Sequence, residues 1–168
     1  KGDETIIKNQ TKFSVKILGF TIFRVEGYGE EKYINDQLIS YNSKTFQNDV
    51  KKYVNINFVK AKNKFQIKGS SYNGEASVQN IIGNWWNHKI LQTNTQISPI
   101  SGSIKEQVVT FIGKEKINQY GKIYTVDHFT LKSKDMTLPK DKRLDFNIWY
   151  DPKNASIVKV SYSRMGNW

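Results

Sequence analysis

Apolar and polar residues alternate with a period of two along most of the chain. The clearest runs are KFSVKI at 12–17, YVNINF at 53–58 and KFQIK at 64–68. This period places the apolar side chains on one face of an extended strand, so each run predicts a strand with one buried and one solvated face. Turn signals rich in Gly, Asn and Asp separate such runs. The pattern predicts an all-β fold, a single domain over 1–168 formed by an antiparallel meander of about eight to eleven strands.

The segment LDFNIWYDPKNASIVKVSYS, residues 144–163, predicts the last β-hairpin. Its turn falls at 151–154, where proline suits the second turn position. Alternation along the first strand places Phe146 on the inward face and Trp149 on the polar face. Trp149 is then either covered by a loop or presented as a stacking surface in a ligand groove.

The stretch NWWNHKILQ, residues 84–92, interrupts the strand pattern. Asn84 is a suitable N-cap, so the stretch predicts one short helix. Helical spacing aligns Trp86 with the apolar Ile90. It aligns Trp85 with two further candidates for ligand contact, His88 and Lys89. We therefore predict that Trp86 is structural and that Trp85 faces a ligand; the alternative is that both rings close the end of the β-structure.

Composition and charge narrow the classes of partner. The chain has no cysteine and a net charge of +11, and only three of its 26 basic residues are arginine. Specific nucleic-acid recognition favours the bidentate arginine fork, so the charge does not predict a nucleic-acid site. It predicts a solvated lysine surface that attracts anionic partners, an anionic membrane surface among them.

Membrane spans and signal peptides are both recognised by an apolar run of sufficient length. No apolar run approaches the ~20 residues that span a bilayer. The chain starts without a charged and then apolar leader, so we expect that a signal peptide has been removed or was never present.

Candidate catalytic chemistry rests on two histidines, His88 and His128, either of which could act as a general base. Asp127 precedes His128, but neighbours on a strand point to opposite faces, so this carboxylate cannot orient that imidazole. The spacings HxH, HxxxH and HExxH do not occur, and neither does a G-x-S-x-G elbow or a phosphate-binding loop. We expect no metal and no cofactor.

Several segments together resemble a known family. They are DQLISYNSKTFQND at 36–49, the pair Gly69 and Gly74, NWWNHKIL at 84–91, ISGS at 100–103, and the closing LDFNIWYDPKNASIVKVSYS. From Gly69 to Asn167 the chain resembles domain-of-unknown-function family 6134, whose members are small exported bacterial proteins.

The resemblance implies a location in the periplasm or cell envelope and a signal peptide that is removed. It also implies a curled antiparallel sheet of the spiral β-roll or half-barrel type, similar to lipoprotein carriers. It supplies no catalytic residues, because the family has no settled activity.

Two functions of different classes follow. The first is an envelope binding module for an apolar or amphiphilic ligand with an anionic head group, held in a concave sheet. Its predicted ligand-binding residues are Trp85, His88, Lys89 and Trp149, with Trp86 also at the mouth. The alternative is a cofactor-free β-roll enzyme that uses His88 or His128 as general base. A third hypothesis is a structural subunit that assembles through an exposed strand edge.

Overall fold

The computed structural model describes residues 3–162, and Ser163 of the predicted closing hairpin lies outside them. Two six-stranded sheets account for most of this range. The first contains, in spatial order, β1 (Glu4–Ile17), β2 (Phe20–Ile34), β3 (Gln37–Gln47), β4 (Val50–Val59), β5 (Lys64–Gly69) and β6 (Asn73–Ser77). The second contains β7 (Ile81–Ile82), β8 (Thr95–Ile97), β9 (Ile104–Gln119), β10 (Lys122–Ser133), β11 (Asp145–Asp151) and β12 (Ser156–Tyr162), in the spatial order β12-β11-β10-β9-β8-β7.

The predicted all-β antiparallel class is confirmed. Within the described range the helical segments are three 3-10 turns, Lys60–Lys62, His88–Gln92 and Lys140–Lys142. The strands within residues 3–162 number twelve where about eight to eleven were predicted, and they form two sheets where one was predicted. None of the helical segments in residues 3–162 has the length and apolar character needed to cross a membrane.

The chain divides into two compact units. The first comprises Lys1–Asn80 with Ile97–Ile104, and the second comprises Ile81–Gln96 with Lys105–Trp168. The chain therefore leaves the first unit after Asn80, returns to it for one short segment, and leaves it again. The single domain over 1–168 stays a prediction.

The faces of the first sheet follow the alternation in the sequence. Val54, Ile56, Phe65 and Ile67 are fully buried on its inner face, as the runs at 53–58 and 64–68 predict. Burial at Tyr41, also on this face, raises the pKa of its hydroxyl to about 12. The returning segment 97–104 is bonded to the same face.

Two hydroxyl groups hold that segment. Tyr41 Oη and Ser43 Oγ donate to the carbonyl oxygen of Pro99, at 3.0 and 2.6 Å. Further along the segment, the main chain of Ser101 lies so close to Gly69 that a Cβ at Gly69 would collide with it. Glycine is therefore required at this position of β5.

The first hairpin extends past its own sheet. β3 pairs with β2 only from Val25 onward, and the main chain of Arg24 bonds to Asn48 in the turn after β3, so residues 14–23 of β1 and β2 are paired with each other alone. We call residues 12–26 the ribbon. Four residue pairs and the turn carry it about 15 Å beyond the end of β3, at about 3.3 Å per residue.

The ribbon has two unlike faces. The register places six apolar side chains on one face. Ile22 is an extra, bulged residue of β2, and because it has no partner on β1, Phe20 lies on the same face as Phe23. This apolar stripe consists of Phe13, Val15, Ile17, Phe20, Phe23 and Val25. The opposite face carries Lys12, Ser14, Lys16, Thr21, Arg24 and Glu26. KFSVKI is thus a strand as predicted, but the predicted burial is wrong for Phe13 and Ile17, which are 55% and 44% exposed.

Four hairpins turn through two residues that both have positive φ, the geometry of a type I′ turn. Two of them have the expected polar composition, Asn35-Asp36 and Asn48-Asp49. The other two are Leu18-Gly19, at the tip of the ribbon, and Tyr120-Gly121, between β9 and β10. Leu18 and Tyr120 are 93% and 98% exposed.

The second unit has its own apolar core. Ile90, Leu131, Leu144 and Ile148 are buried in it, and partly buried apolar side chains pack around them. Phe146 is one of the packed side chains, so its predicted inward orientation is confirmed.

The predicted helix at 84–92 is only partly formed. A 3-10 turn covers His88–Gln92, and its N-cap is Asn87, whose side chain accepts from the main-chain N–H of Lys89 at 3.1 Å. Trp85 and Trp86 precede this turn, so the helical spacing that assigned their faces does not apply to them. Their environments are the reverse of those predicted. Trp85 packs against the core, with its ring 4.8 Å from that of Phe146, and Trp86 is 46% exposed.

Candidate functional site

The structure brings together two of the residues singled out in the sequence, His128 and Trp149. They lie directly opposite each other on β10 and β11. Their rings stack with centroids 4.7 Å apart and planes inclined by 14°. On the next strand Lys159 pairs with Trp149 and places its Nζ 4.5 Å from the indole centroid. The sequence contains this alignment only through the register, which alternation alone does not reveal.

Two polar side chains from neighbouring rows contact these three, and we call the five residues the ladder: Glu115, His128, Asn147, Trp149 and Lys159. Glu115 Oε1 accepts from Trp149 Nε1 at 2.5 Å and lies 3.1 Å from His128 Nδ1. His128 Nε2 lies 3.0 Å from Asn147 Oδ1. The indole N–H is therefore bonded within the ladder, and each imidazole nitrogen faces an oxygen of the ladder at close range.

The contacts of the ladder suit the stabilisation of neighbouring strands better than proton transfer by His128. A general base needs a ring nitrogen that can reach the proton of a substrate. Here Nδ1 faces a carboxylate and Nε2 faces an amide, so Asn147 would have to move before His128 could act. Stacked cross-strand rings and charge-assisted hydrogen bonds stabilise neighbouring strands.

The other predicted site residues do not join the ladder. Trp85 packs against Phe146, which lies on the face of β11 opposite to that of Trp149. His88 stands at the start of the 3-10 turn, its ring 5.7 Å from that of Tyr150. Lys89 is exposed. The four predicted ligand-binding residues therefore do not share one face.

A concave site that sequence reasoning missed lies on the first sheet. It is a trough of about 470 Å³, lined by Lys8, Asn9, Tyr28, Gly29, Glu30, Asn42, Ser43, Lys44 and Asn55. The register explains its composition, because Glu30, Asn42 and Asn55 are paired in one row across three strands. The side chain of Ser43 points inward to Pro99, so those of its neighbours Asn42 and Lys44 point outward. The trough therefore opens on the outer, solvated face.

A second row of the outer face adds aromatic side chains. Tyr28, Lys44 and Tyr53 are paired across β2, β3 and β4. Lys44 Nζ lies 5.2 Å from the ring centroid of Phe46, two residues on along β3. The trough therefore combines amide and ammonium groups with aromatic surface.

Ion pairs set the local charge. Lys8 Nζ is 3.3 Å from Glu30 Oε2, and both side chains are exposed, so water screens this pair. At the base of the ribbon Glu26 contacts Lys12 at 3.1 Å and Arg24 at 3.0 Å. The hydrogen bond from Lys12 is the largest influence on the Glu26 carboxyl and holds its pKa below the ordinary value.

Metal coordination is not indicated by the side chains described. Among the side chains that the structure describes, which do not include that of Asp141, three or more His, Asp or Glu side chains do not converge anywhere.

The molecule is thus an all-β protein of two antiparallel sheets, with a polar trough on one and a stacked polar ladder on the other. The chain belongs to the family described as "Domain of unknown function (DUF6134)", whose pattern matches residues 1–167. The resemblance found in the sequence is confirmed, and the match extends it from Gly69 back to the start of the chain. Neither the curated proteins nor the solved structures contain a match to this chain.

Proposed function

We propose that the protein is a binding module of the bacterial cell envelope that holds an amphiphilic ligand with an anionic head group in the trough. The observation that carries this proposal is the trough itself. Its volume of about 470 Å³ is within the range of roughly 300–1,000 Å³ typical of small-molecule sites.

The lining groups suit the two ends of an amphiphile. Asn42 and Asn55 offer amide donors and acceptors, and Lys44 offers an ammonium group to a phosphate or carboxylate. The ring of Tyr28, which lines the trough beside Lys44, offers apolar surface with a polar tip, as a partly solvated site requires, and Tyr53 adjoins Lys44 from outside the lining. The envelope location is the one that the family resemblance implies.

Native mass spectrometry of protein purified from its own envelope tests the proposal, with a co-purifying small molecule as the expected result. Asn55→Ala should release this molecule. Asn57→Ala is the matched control, since Asn57 is the next outward amide of β4 and does not line the trough. No bound molecule, or equal loss from both variants, would contradict the proposal.

The alternative, a cofactor-free enzyme with His128 as general base, has one observation in its favour. The 3.1 Å contact between His128 and Glu115 is an arrangement that orients a catalytic imidazole. Asn147 on the other ring nitrogen weakens it. His128→Gln should leave any activity found in a hydrolase screen unchanged; complete loss of that activity would favour the enzyme.

A further inference from the structure

We propose that the ribbon docks on an anionic lipid surface, with its apolar stripe in the acyl boundary and its basic face toward the head groups. This inference is independent of the trough. Side chains of the stripe are uncovered both at its outer end and at its base, with Phe20 77% and Phe13 55% exposed. Adjacent exposed apolar side chains of this kind mark interaction surfaces.

The charge on the opposite face identifies the partner as anionic. Lys12, Lys16 and Arg24 face away from the stripe, with Glu26 as the one carboxylate on that face of the ribbon. Three positive charges against one negative give a net charge of +2. An element with one apolar and one basic face lies in the plane of a membrane interface, where each basic residue near anionic lipid adds to the attraction.

The tip supplies an independent argument. Leu18 has φ +49°, a left-handed conformation that is costly for a branched apolar residue and tolerated by asparagine. The same chain places asparagine at the corresponding position of two other type I′ turns, Asn35 and Asn48. Leucine at the ribbon tip is therefore unfavourable for the turn and nearly fully exposed. Insertion into an apolar phase removes this side chain from water, which is a favourable contribution that asparagine cannot make.

Co-sedimentation of the full chain with vesicles tests the proposal. The vesicles are phosphatidylcholine alone, or phosphatidylcholine mixed with phosphatidylglycerol. Binding is expected to the mixed vesicles only, and to weaken at high salt. Leu18→Asn should weaken it about tenfold, because one leucine side chain no longer leaves water. Tyr120→Asn, the same change in the same turn type, should retain binding within about twofold.

Charge and insertion have their own measurements. Lys16→Gln should weaken binding, and Lys153→Gln, at an exposed turn elsewhere, should not. Because the chain has no cysteine, a single Phe20→Cys carries an environment-sensitive fluorophore at the ribbon alone. Its emission should shift to the blue on mixed vesicles, whereas the same label at Asn57→Cys should not shift.

Three results would overturn the proposal. They are equal binding to both kinds of vesicle, equal loss in Leu18→Asn and Tyr120→Asn, or an unshifted label at position 20. A fourth is a concentration-dependent dimer, detected by light scattering, that Leu18→Asn abolishes without affecting vesicle binding. That result would assign the stripe to a second copy of the chain.

Discussion

The β1–β2 hairpin of the first sheet and the β9–β10 hairpin of the second are built on the same backbone plan. Each extends past the strand beside it, since β3 reaches only Val25 and β11 reaches only Asp127. Each ends in a type I′ turn with a large exposed side chain, Leu18 in one and Tyr120 in the other.

They differ in what holds them. Near the base of the second hairpin, Glu115 accepts a hydrogen bond from Trp149 of β11, so the hairpin is tied to its own sheet. At the base of the first, the side chain of Glu26 contacts Lys12 and Arg24, which belong to the ribbon itself. The tie of this hairpin to its sheet is made by the main chain of Arg24, which bonds to Asn48 at 2.8 and 2.9 Å. The residues flanking the turns differ as well, since Ile17 and Phe20 close the first and Gln119 and Lys122 close the second. The two backbones are thus similar, but their side chains differ. The second hairpin is bonded to β11 through Glu115, and the first carries an uncovered apolar face.

The largest expected contrast is between two phenylalanines. Phe146→Ala removes a ring packed on the core of the second unit and should lower the free energy of unfolding by about 3–5 kcal/mol. Phe13→Ala removes a ring of the ribbon that is 55% exposed and should cost less than about 1 kcal/mol. Chemical denaturation measures both. Similar losses would show that the ribbon is packed as firmly as the core.

The next contrast tests the ladder. Trp149→Ala removes the stack on His128 and the bond to Glu115, and should cost about 1–3 kcal/mol. Amide exchange near Ile117 and Tyr124 should accelerate as the hairpin loosens. Trp149→Phe keeps an aromatic ring and isolates the N–H bond, so its loss should be smaller. Unchanged exchange in Trp149→Ala would show that the ladder does not hold the hairpin.

A smaller change of opposite sign is expected at the tips. Leu18→Asn and Tyr120→Asn each relieve a left-handed residue, and each should raise stability by up to about 1 kcal/mol. Thermal denaturation measures the gain. A loss of stability in Leu18→Asn would mean that the leucine packs within the folded chain.

The smallest effect is a local pH dependence of the ribbon. Because the pKa of Glu26 is lowered from 4.5 in the folded chain, the contribution of this group is present above that value. The contribution is lost as pH falls through the lowered folded pKa, since protonation breaks the bonds from Lys12 and Arg24. Amide exchange in the ribbon should therefore accelerate in acid more than exchange at the ladder. In Glu26→Gln this acceleration should disappear.

Alternation in the sequence predicted which side chains share a face, and it did so correctly for 53–58, 64–68 and the first strand of the closing hairpin. It could not predict what covers a face. For this reason Phe13 was expected to be buried, although the hairpin continues past its sheet.

At 84–92 the predicted helical period does not hold for Trp85 and Trp86, because both lie before the 3-10 turn. Local capping by Asn87 starts the turn later, and Trp85 packs on the core instead of Trp86.

The candidate sites were harder to predict because both depend on register. The amides of Asn42 and Asn55 are visible in the sequence, but only the pairing of β3 with β4 places them side by side. The same holds for His128 and Trp149, which were each singled out but for separate reasons. Period-two patterns fix the face of each residue and leave its cross-strand neighbour undetermined.

The return of residues 97–104 to the first unit sets an order of events during synthesis on the ribosome. Tyr41 donates to a carbonyl that is 58 residues further along the chain. At about 5–20 residues per second, roughly 3–12 s pass between the emergence of the two. The β1–β6 strands can pair as they emerge, but Tyr41 and Ser43 gain their shared acceptor only after β7 and β8 have been made. Until residues 97–104 have been synthesised, the nascent first unit therefore lacks the acceptor of these two hydrogen bonds.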